Sequence, residues 1–198
     1  MGGNGLRVGV LALQGDFEAH RKALEARGVT AVEARVPGDL LGVRGLVLPG
    51  GESTTMLKLM GGPLAARLAE LIRGGLPVLA TCAGVILLAR EVRRPAQRSL
   101  GLLDAVVERN AYGRQIDSAV VDLSVCDPQQ LGSDALEGVF IRAPRVAAVG
   151  ASVQVLARRG EDAVLLRQGR LLAATFHPEL SPGSPVTDLF VRTVRNST

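Results

Sequence analysis

Three residues of this 198-residue chain have the types and surroundings for nucleophilic chemistry: Cys82, His177 and Glu179. Cys82 lies in Pro77-Val78-Leu79-Ala80-Thr81-Cys82-Ala83-Gly84-Val85-Ile86-Leu87-Leu88, where a short apolar run breaks sharply into a helix-like stretch. A thiol at such a strand-to-helix turn projects away from its own backbone. Small neighbours (Ala80, Ala83, Gly84) let the chain bend, and the amides of the following helix favour thiolate over thiol. Read alone, the segment also fits a packed core cysteine, since free cysteine is commonly buried. The segment His177-Pro178-Glu179 supplies what a thiolate needs, a base and a group that orients the base. Pro178 biases His177 towards an extended conformation. Side chains two apart in an extended segment point the same way, so the carboxylate can hold one nitrogen of the ring. The other histidine of the chain, His20, falls on the face of a predicted first helix, where a solvated or capping role is expected.

Acyl transfer through a thiol also needs donors for a tetrahedral oxyanion. Pro49-Gly50-Gly51 offers bare amides after an apolar run, and the amide of Ala83, beside the nucleophile, is the second donor by analogy with other elbows. The double glycine fits a tight turn equally well. No GxxxxGK or GxGxxG phosphate loop is present.

The elements that must position these groups follow from hydrophobic pattern. Arg7 to Leu13 is nearly continuously apolar, as expected of a strand covered on both faces, and Gln14-Gly15-Asp16 turns into an amphipathic stretch ending at Gly28, with Asp16 as N-cap. Thr30 to Val36 and Gly45 to Leu48 read as strands, Ser53 to Arg73 as a helix broken at Gly61-Gly62-Pro63, and Pro77 to Ala80 as a strand with a helix after Cys82. Beyond Gly101 strand-like pieces dominate: Leu103 to Glu108, Ser118 to Val125, Gly138 to Ile141, Val146 to Val149, Val153 to Ala157, Ala163 to Arg167 and Leu171 to Phe176. A helix from Val186 to Val194 closes the chain. The alternation predicts an α/β fold: a mainly parallel sheet with helices on both faces and antiparallel additions, a flavodoxin-like three-layer arrangement. Sites in such sheets form at the carboxyl ends of the parallel strands, so residues 14–16, 49–53, 81–82 and 177–179 should meet on one rim.

Composition narrows the class. With 47% hydrophobic residues the chain can bury a substantial core as one domain over residues 1–198. No apolar run approaches the roughly 20 residues that span a bilayer, and Met1 to Arg7 lacks the apolar stretch of a secretory signal, so a cytoplasmic location without membrane contact is expected. The two cysteines, Cys82 and Cys126, lack CxxC spacing, which argues against a disulfide framework and a zinc site; Cys126, before Asp127-Pro128 in a predicted loop, is expected to be incidental. The net charge is +4, but the basic residues are scattered and aromatics make up 3% of the chain, so nucleic-acid binding is not expected.

The chain resembles the class I, triad-type glutamine amidotransferase family, and within it the glutaminase subunits of pyridoxal 5'-phosphate synthase. The matching segments are Leu11-Ala12-Leu13-Gln14-Gly15-Asp16, Leu48-Pro49-Gly50-Gly51-Glu52-Ser53-Thr54-Thr55, Thr81-Cys82-Ala83-Gly84, Glu108-Arg109-Asn110-Ala111-Tyr112-Gly113-Arg114-Gln115, Phe140-Ile141-Arg142-Ala143-Pro144 and Phe176-His177-Pro178-Glu179-Leu180. They run in family order over almost the whole chain. The resemblance implies hydrolysis of L-glutamine to L-glutamate and ammonia, with Cys82 as nucleophile, His177 as acid and base, and Glu179 orienting it. It implies that Gly50, Gly51, Glu52, Arg109, Ile141 and Arg142 line the glutamine pocket, that Gly51 and Ala83 serve the oxyanion, and that Gln14 supports that site at a partner interface. An arginine independently suits an α-carboxylate through a bidentate pair. The implied partner is a separate synthase subunit in a ring assembly; pyridoxal phosphate would be the complex's product, and no cofactor or metal is implied for this chain. The family's Gly-Thr-Cys-Ala-Gly reads Ala80-Thr81-Cys82-Ala83-Gly84 here, which is compatible with the elbow if Ala80 keeps a negative φ. A non-catalytic binding subunit of the same fold and a stand-alone cysteine hydrolase are the competing readings.

Overall fold

The apolar runs become strands because both of their faces are covered. The computed structural model describes residues 5–109 and 119–197. Within them β1 (Arg7–Leu11), β2 (Thr30–Ala34), β3 (Gly45–Leu48) and β4 (Val78–Thr81) precede β5 (Ala89–Arg93), β6 (Leu103–Glu108), β7 (Ala119–Asp122) and β8 (Ser124–Val125). β9 (Glu137–Phe140), β10 (Arg145–Val149), β11 (Gln154–Arg159), β12 (Asp162–Gln168) and β13 (Leu171–Ala174) complete the set. The helices are α1 (Phe17–Glu25), α2 (Ser53–Arg73), α3 (Ala83–Leu88), α4 (Pro128–Leu131) and α5 (Pro185–Arg195). The main sheet runs β2-β1-β3-β4-β13-β12-β11-β8. Its first five strands are parallel, and β12, β11 and β8 add to the edge antiparallel. A sheet β10-β6-β5 and a hairpin-like pair β7-β9 stand apart from it.

Strand alternation divides the core between the two faces. Leu46, Leu48 and Ala80 point to one side with Met56, Leu64 and Leu68 of α2 and with Leu103 and Val107 of the second sheet. Val8, Val10, Val47 and Leu79 point to the other with Leu24, Phe176, Phe190 and Val194. The fully buried rings Phe176 and Phe190 each contribute roughly 1.5–3 kcal/mol by removal from water. This is the expected α/β arrangement, with helices on both faces of a mainly parallel sheet.

Several boundaries differ from the sequence expectation. The helix after Cys82 is only six residues long, and Ala89 turns the chain into β5, which pairs with β6; the run Val85 to Val92 carries no glycine or proline to announce that stop. The expected strand from 118 to 125, whose first residue lies outside the described residues, is two strands. β7 pairs with β9, the chain bends at buried Leu123, and β8 pairs with β11. The break in α2 is present at Gly61, whose φ of 61° no helix interior accommodates.

One glycine in α3 fixes how closely this helix seats on the sheet. A Cβ on Gly84 would lie inside the van der Waals envelope of the Leu48 carbonyl oxygen, a backbone atom with no rotamer to escape into. Gly84→Ala is therefore expected to cost about 3 kcal/mol or more and lower the melting temperature by about 6–12 °C, as read by thermal unfolding.

Candidate active site

The elbow expected at Cys82 is present. Cys82 closes β4 and opens α3 with φ 46° and ψ −106°, a conformation that a residue bearing a Cβ holds only when its surroundings impose it. The turn is pinned by the Cys82 N–H donating to the Ala174 carbonyl at 2.9 Å. The side chain is buried, with Sγ 3.9 Å from the Ile141 carbonyl oxygen. Ala80 sits within β4, buried, paired with Leu48 and Ala173 and not among the residues with positive φ, so its methyl does not disturb the turn.

His177 follows β13, its N–H donating to the Val139 carbonyl at 2.8 Å. Pro178–Leu180 forms a 3-10 turn and not the extended segment expected from Pro178. The expected pairing survives by another route. The turn brings Glu179 back so that its Oε1 lies 2.7 Å from His177 Nδ1, and the ring lies beside Cys82 on the cavity wall, both crowding the space over Gly50. Burial would depress the His177 pKa, but its interactions with Cys82 and Glu179 outweigh it and hold the ring above its ordinary 6.5. Burial would raise Glu179, yet the adjacent His20 and His177 bring it from 4.5 to about 2. The imidazolium form is thus favoured, with an ionised carboxylate behind it.

The four polar segments meet on one rim, around a cavity of about 320 Å³. Gln14 Oε1 accepts from the Glu52 N–H at 2.6 Å, and the Gly50 carbonyl accepts from the Asp16 N–H at 3.2 Å, so the two turns clamp each other. In a trans peptide the N–H is opposite the C=O, and the Gly51 N–H therefore points away from residues 14–16. Gly50 admits no side chain because a Cβ there would overlap the ring of His177. Glu52 caps α2, accepting from the N–H groups of Thr54 and Thr55 and from the Thr54 hydroxyl. Burial works against its ionisation, but the Thr54 and Thr55 bonds lower its pKa to about 2. Arg109 Nη2 lies 3.3 Å from Glu52 Oε1. Gln14, Gly51, Glu52, Ala83, Arg109, Ile141 and Arg142 all line the cavity with Cys82 and His177. Arg142 is held at φ 46°. The remainder of the expected segment 108–115, residues 110–115, lies outside the described residues.

Two expectations are corrected. Asp16 occupies the N-cap position of α1 without a side-chain cap bond; its Oδ2 lies instead 3.6 Å from His177 Nδ1. His20 is neither solvated nor capping. It is buried, with Nε2 3.0 Å from Thr81 Oγ1 and 3.3 Å from Glu179 Oε2. The signal was present in its spacing, since His20 shares a helix face with Leu24, the other buried residue of α1. Asp16, His177 and Glu179 place ligand-type atoms within 4.8 Å of one another, but His177 Nδ1 is already engaged by Glu179, which leaves no free imidazole donor on that side for a metal. Cys126 is exposed and lies away from the cavity.

Comparison with known proteins agrees with this geometry. The SNO glutamine amidotransferase family model matches residues 10–196. A Koribacter versatilis protein named pyridoxal 5'-phosphate synthase subunit PdxT is 50% identical over 96% of this chain and 97% of its own length. Proteins of the same name from Pelotomaculum thermopropionicum and Thermotoga maritima are 52% identical over 89% of each chain and 44% identical over 96% and 100%. A crystal structure of a glutamine amidotransferase superposes with a TM-score of 0.87 at 44% identity, covering 95% of this chain and 98% of that one. The structure of PurLQS from Thermotoga maritima shares the fold at 17% identity, with a TM-score of 0.68 over 96% of this chain and 97% of that one. The nucleophile elbow, the ordered motifs and these matches lead to one assignment: the chain belongs to the SNO glutamine amidotransferase family.

Proposed function

We propose that this chain is the glutaminase subunit of a pyridoxal 5'-phosphate synthase, hydrolysing L-glutamine to L-glutamate and ammonia and passing the ammonia to a separate synthase subunit. The observation that carries the reading is Cys82 and a Glu179-bonded His177 side by side at a cavity bordered by Glu52, Arg109 and Arg142. Its volume is in the range of small-molecule sites. Arg109 and Arg142 suit the α-carboxylate of a free amino acid and the Glu52 carboxylate suits its ammonium group.

Cys82 sulfur attacks the side-chain amide carbon, and the Gly51 and Ala83 N–H groups receive the developing oxyanion. The C–N bond breaks as the His177 imidazolium gives its proton to the departing nitrogen, leaving ammonia and a glutamyl thioester on Cys82. His177, now neutral, takes a proton from water, whose oxygen attacks the thioester; glutamate leaves and the thiolate returns. Glu179 stabilises the imidazolium at each stage.

Free ammonia is protonated in neutral water and lost as a nucleophile, so the reaction serves biosynthesis only beside an acceptor site. The chain works as one cytoplasmic glutaminase domain docked on a ring of synthase subunits, with Gln14 supporting the oxyanion turn near that interface. Among the described residues no helix is long and apolar enough to cross a membrane. The test is glutamate release from glutamine by the purified chain, with and without its synthase subunit. Release that rises on mixing supports the assignment, whereas an equal rate on peptide or ester substrates without any partner overturns it.

A further inference from the structure

His20 is a buried imidazole that the mechanism above does not use. It comes from α1, on the opposite side of Glu179 from His177, and its side chain is 2% exposed while that of Glu179 is 0% exposed. The carboxylate is held between two rings: Oε1 lies 2.7 Å from His177 Nδ1 and Oε2 lies 3.3 Å from His20 Nε2. Nε2 is also 3.0 Å from the hydroxyl of Thr81, the fully buried residue that immediately precedes the nucleophile. Among the described residues Oε2 makes no well-aligned hydrogen bond, so the His20 ring 3.3 Å away acts on it electrostatically more than through a linear bond.

From this juxtaposition we infer that His20 is a positioning residue: seated on Thr81, it holds the Glu179 carboxylate ionised and turned so that Oε1 faces His177. A carboxylate buried as deeply as that of Glu179 is costly to keep charged, and burial drives it towards its neutral form. Removing His20 takes away the ring 3.3 Å from Oε2, which among the described residues has no hydrogen bond to replace it. Glu179 then protonates at higher pH and stops supporting the His177 imidazolium. The remaining charged groups near this turn do not substitute. Asp16 carries the wrong sign, Glu137 of β9 accepts the Ser181 hydroxyl at 3.0 Å, and Asp188 of α5 is paired with Arg27 at 2.6 Å. Groups that orient the ligands of a metal site in the same indirect way change activity about 10- to 100-fold when removed, and a loss of that size is expected here.

This inference rests on the glutaminase reading, and its test keeps the two apart. His20→Ala and His20→Gln are assayed in the complex with the synthase subunit for glutamate release across pH. In parallel, the rate of Cys82 alkylation by iodoacetamide is followed by intact mass, which needs no glutamine. His20→Ala is expected to lower kcat about 10- to 100-fold with KM within about threefold, because His20 does not line the cavity. The acid limb of both profiles moves to higher pH. Glutamine can donate a side-chain N–H from the same place and is expected to recover much of the loss. A His20→Ala enzyme with the parent pH profiles, or a loss of rate that matches only the loss of folded protein by circular dichroism with no rescue in His20→Gln, overturns the positioning role. If His20→Ala does not fold, His20→Leu, which fills the space without an N–H, is compared with His20→Gln: an acid limb moved to higher pH in the leucine variant and restored in the glutamine variant supports the role, and parent-like limbs in both overturn it. Absence of glutamate release by the parent complex overturns the glutaminase reading instead, while the alkylation profiles still report on His20.

Discussion

Cys82→Ala, assayed in the complex, releases glutamate at least about 10⁴-fold more slowly than the parent protein and traps no glutamyl thioester in intact mass spectra. The magnitude follows from removing the only atom that can form the covalent intermediate. Loss of a nucleophile in a unit of nucleophile, base and orienter costs about as much as loss of the whole unit, on the order of 10⁶-fold in a comparable serine hydrolase. The fold is expected to survive. The Cys82 side chain is small, alanine also carries a Cβ and meets the same φ of 46°, and the backbone bond from residue 82 to Ala174 does not involve the sulfur. Glutamine binding should persist, because Arg109, Arg142 and Glu52 are untouched. The clean result is thus lost turnover with retained binding by calorimetry. Turnover above about one per cent of the parent rate, at equal protein purity, would remove Cys82 from the chemistry.

Much of this site was legible in the sequence for a physical reason. Strands buried on both faces must be continuously apolar, so Val8 to Leu11, Leu46 to Leu48 and Val78 to Ala80 declared themselves, and the rule that sites form at strand carboxyl ends then gathered residues 14–16, 49–53, 81–82 and 177–179. What stayed hidden depends on contacts between segments remote in sequence. The brevity of α3 is set by β5 finding β6, while no glycine or proline marks the boundary between α3 and β5. The division of β7 from β8 is set by partners well separated along the chain, Glu137–Phe140 and Gln154–Arg159. His20 belongs to the same class. Its helix was expected, but no local signal states that the face shared with Leu24 meets the turn carrying Glu179. The bond between His177 and Glu179 was anticipated for a reason the molecule does not use: the i, i+2 spacing works through a 3-10 turn instead of an extended strand.

The second large effect concerns that same carboxylate, and it separates catalysis from stability in one variant. Glu179→Gln keeps the size of the side chain and a carbonyl oxygen that can accept from His177 Nδ1, but it deletes the charge that favours the imidazolium. Turnover is expected to fall by about 10⁴-fold, the loss found when an orienting triad carboxylate is replaced by its amide. The stability change has a definite dependence on pH. Glu179 is lowered from 4.5 to about 2 in the folded protein, so its charged form stabilises the fold fully above about pH 4.5, and that contribution is lost as pH falls towards 2. His177 is raised above 6.5, so the contribution of its charged form is complete below about pH 6.5 and is lost as pH rises. Both stabilising contributions are complete only between those values. The parent protein should therefore exceed Glu179→Gln by about 2 kcal/mol, or about 4–8 °C in melting temperature, between pH 4.5 and 6.5. The gap should close on the acid side as Glu179 becomes neutral like the glutamine that replaced it, and narrow on the alkaline side as His177 loses its proton. Thermal melts of both proteins from pH 3 to 9 measure this directly. A gap that stays flat, or widens towards acid, would show that the two side chains do not form a charged pair in the folded protein, whatever the variant does to turnover.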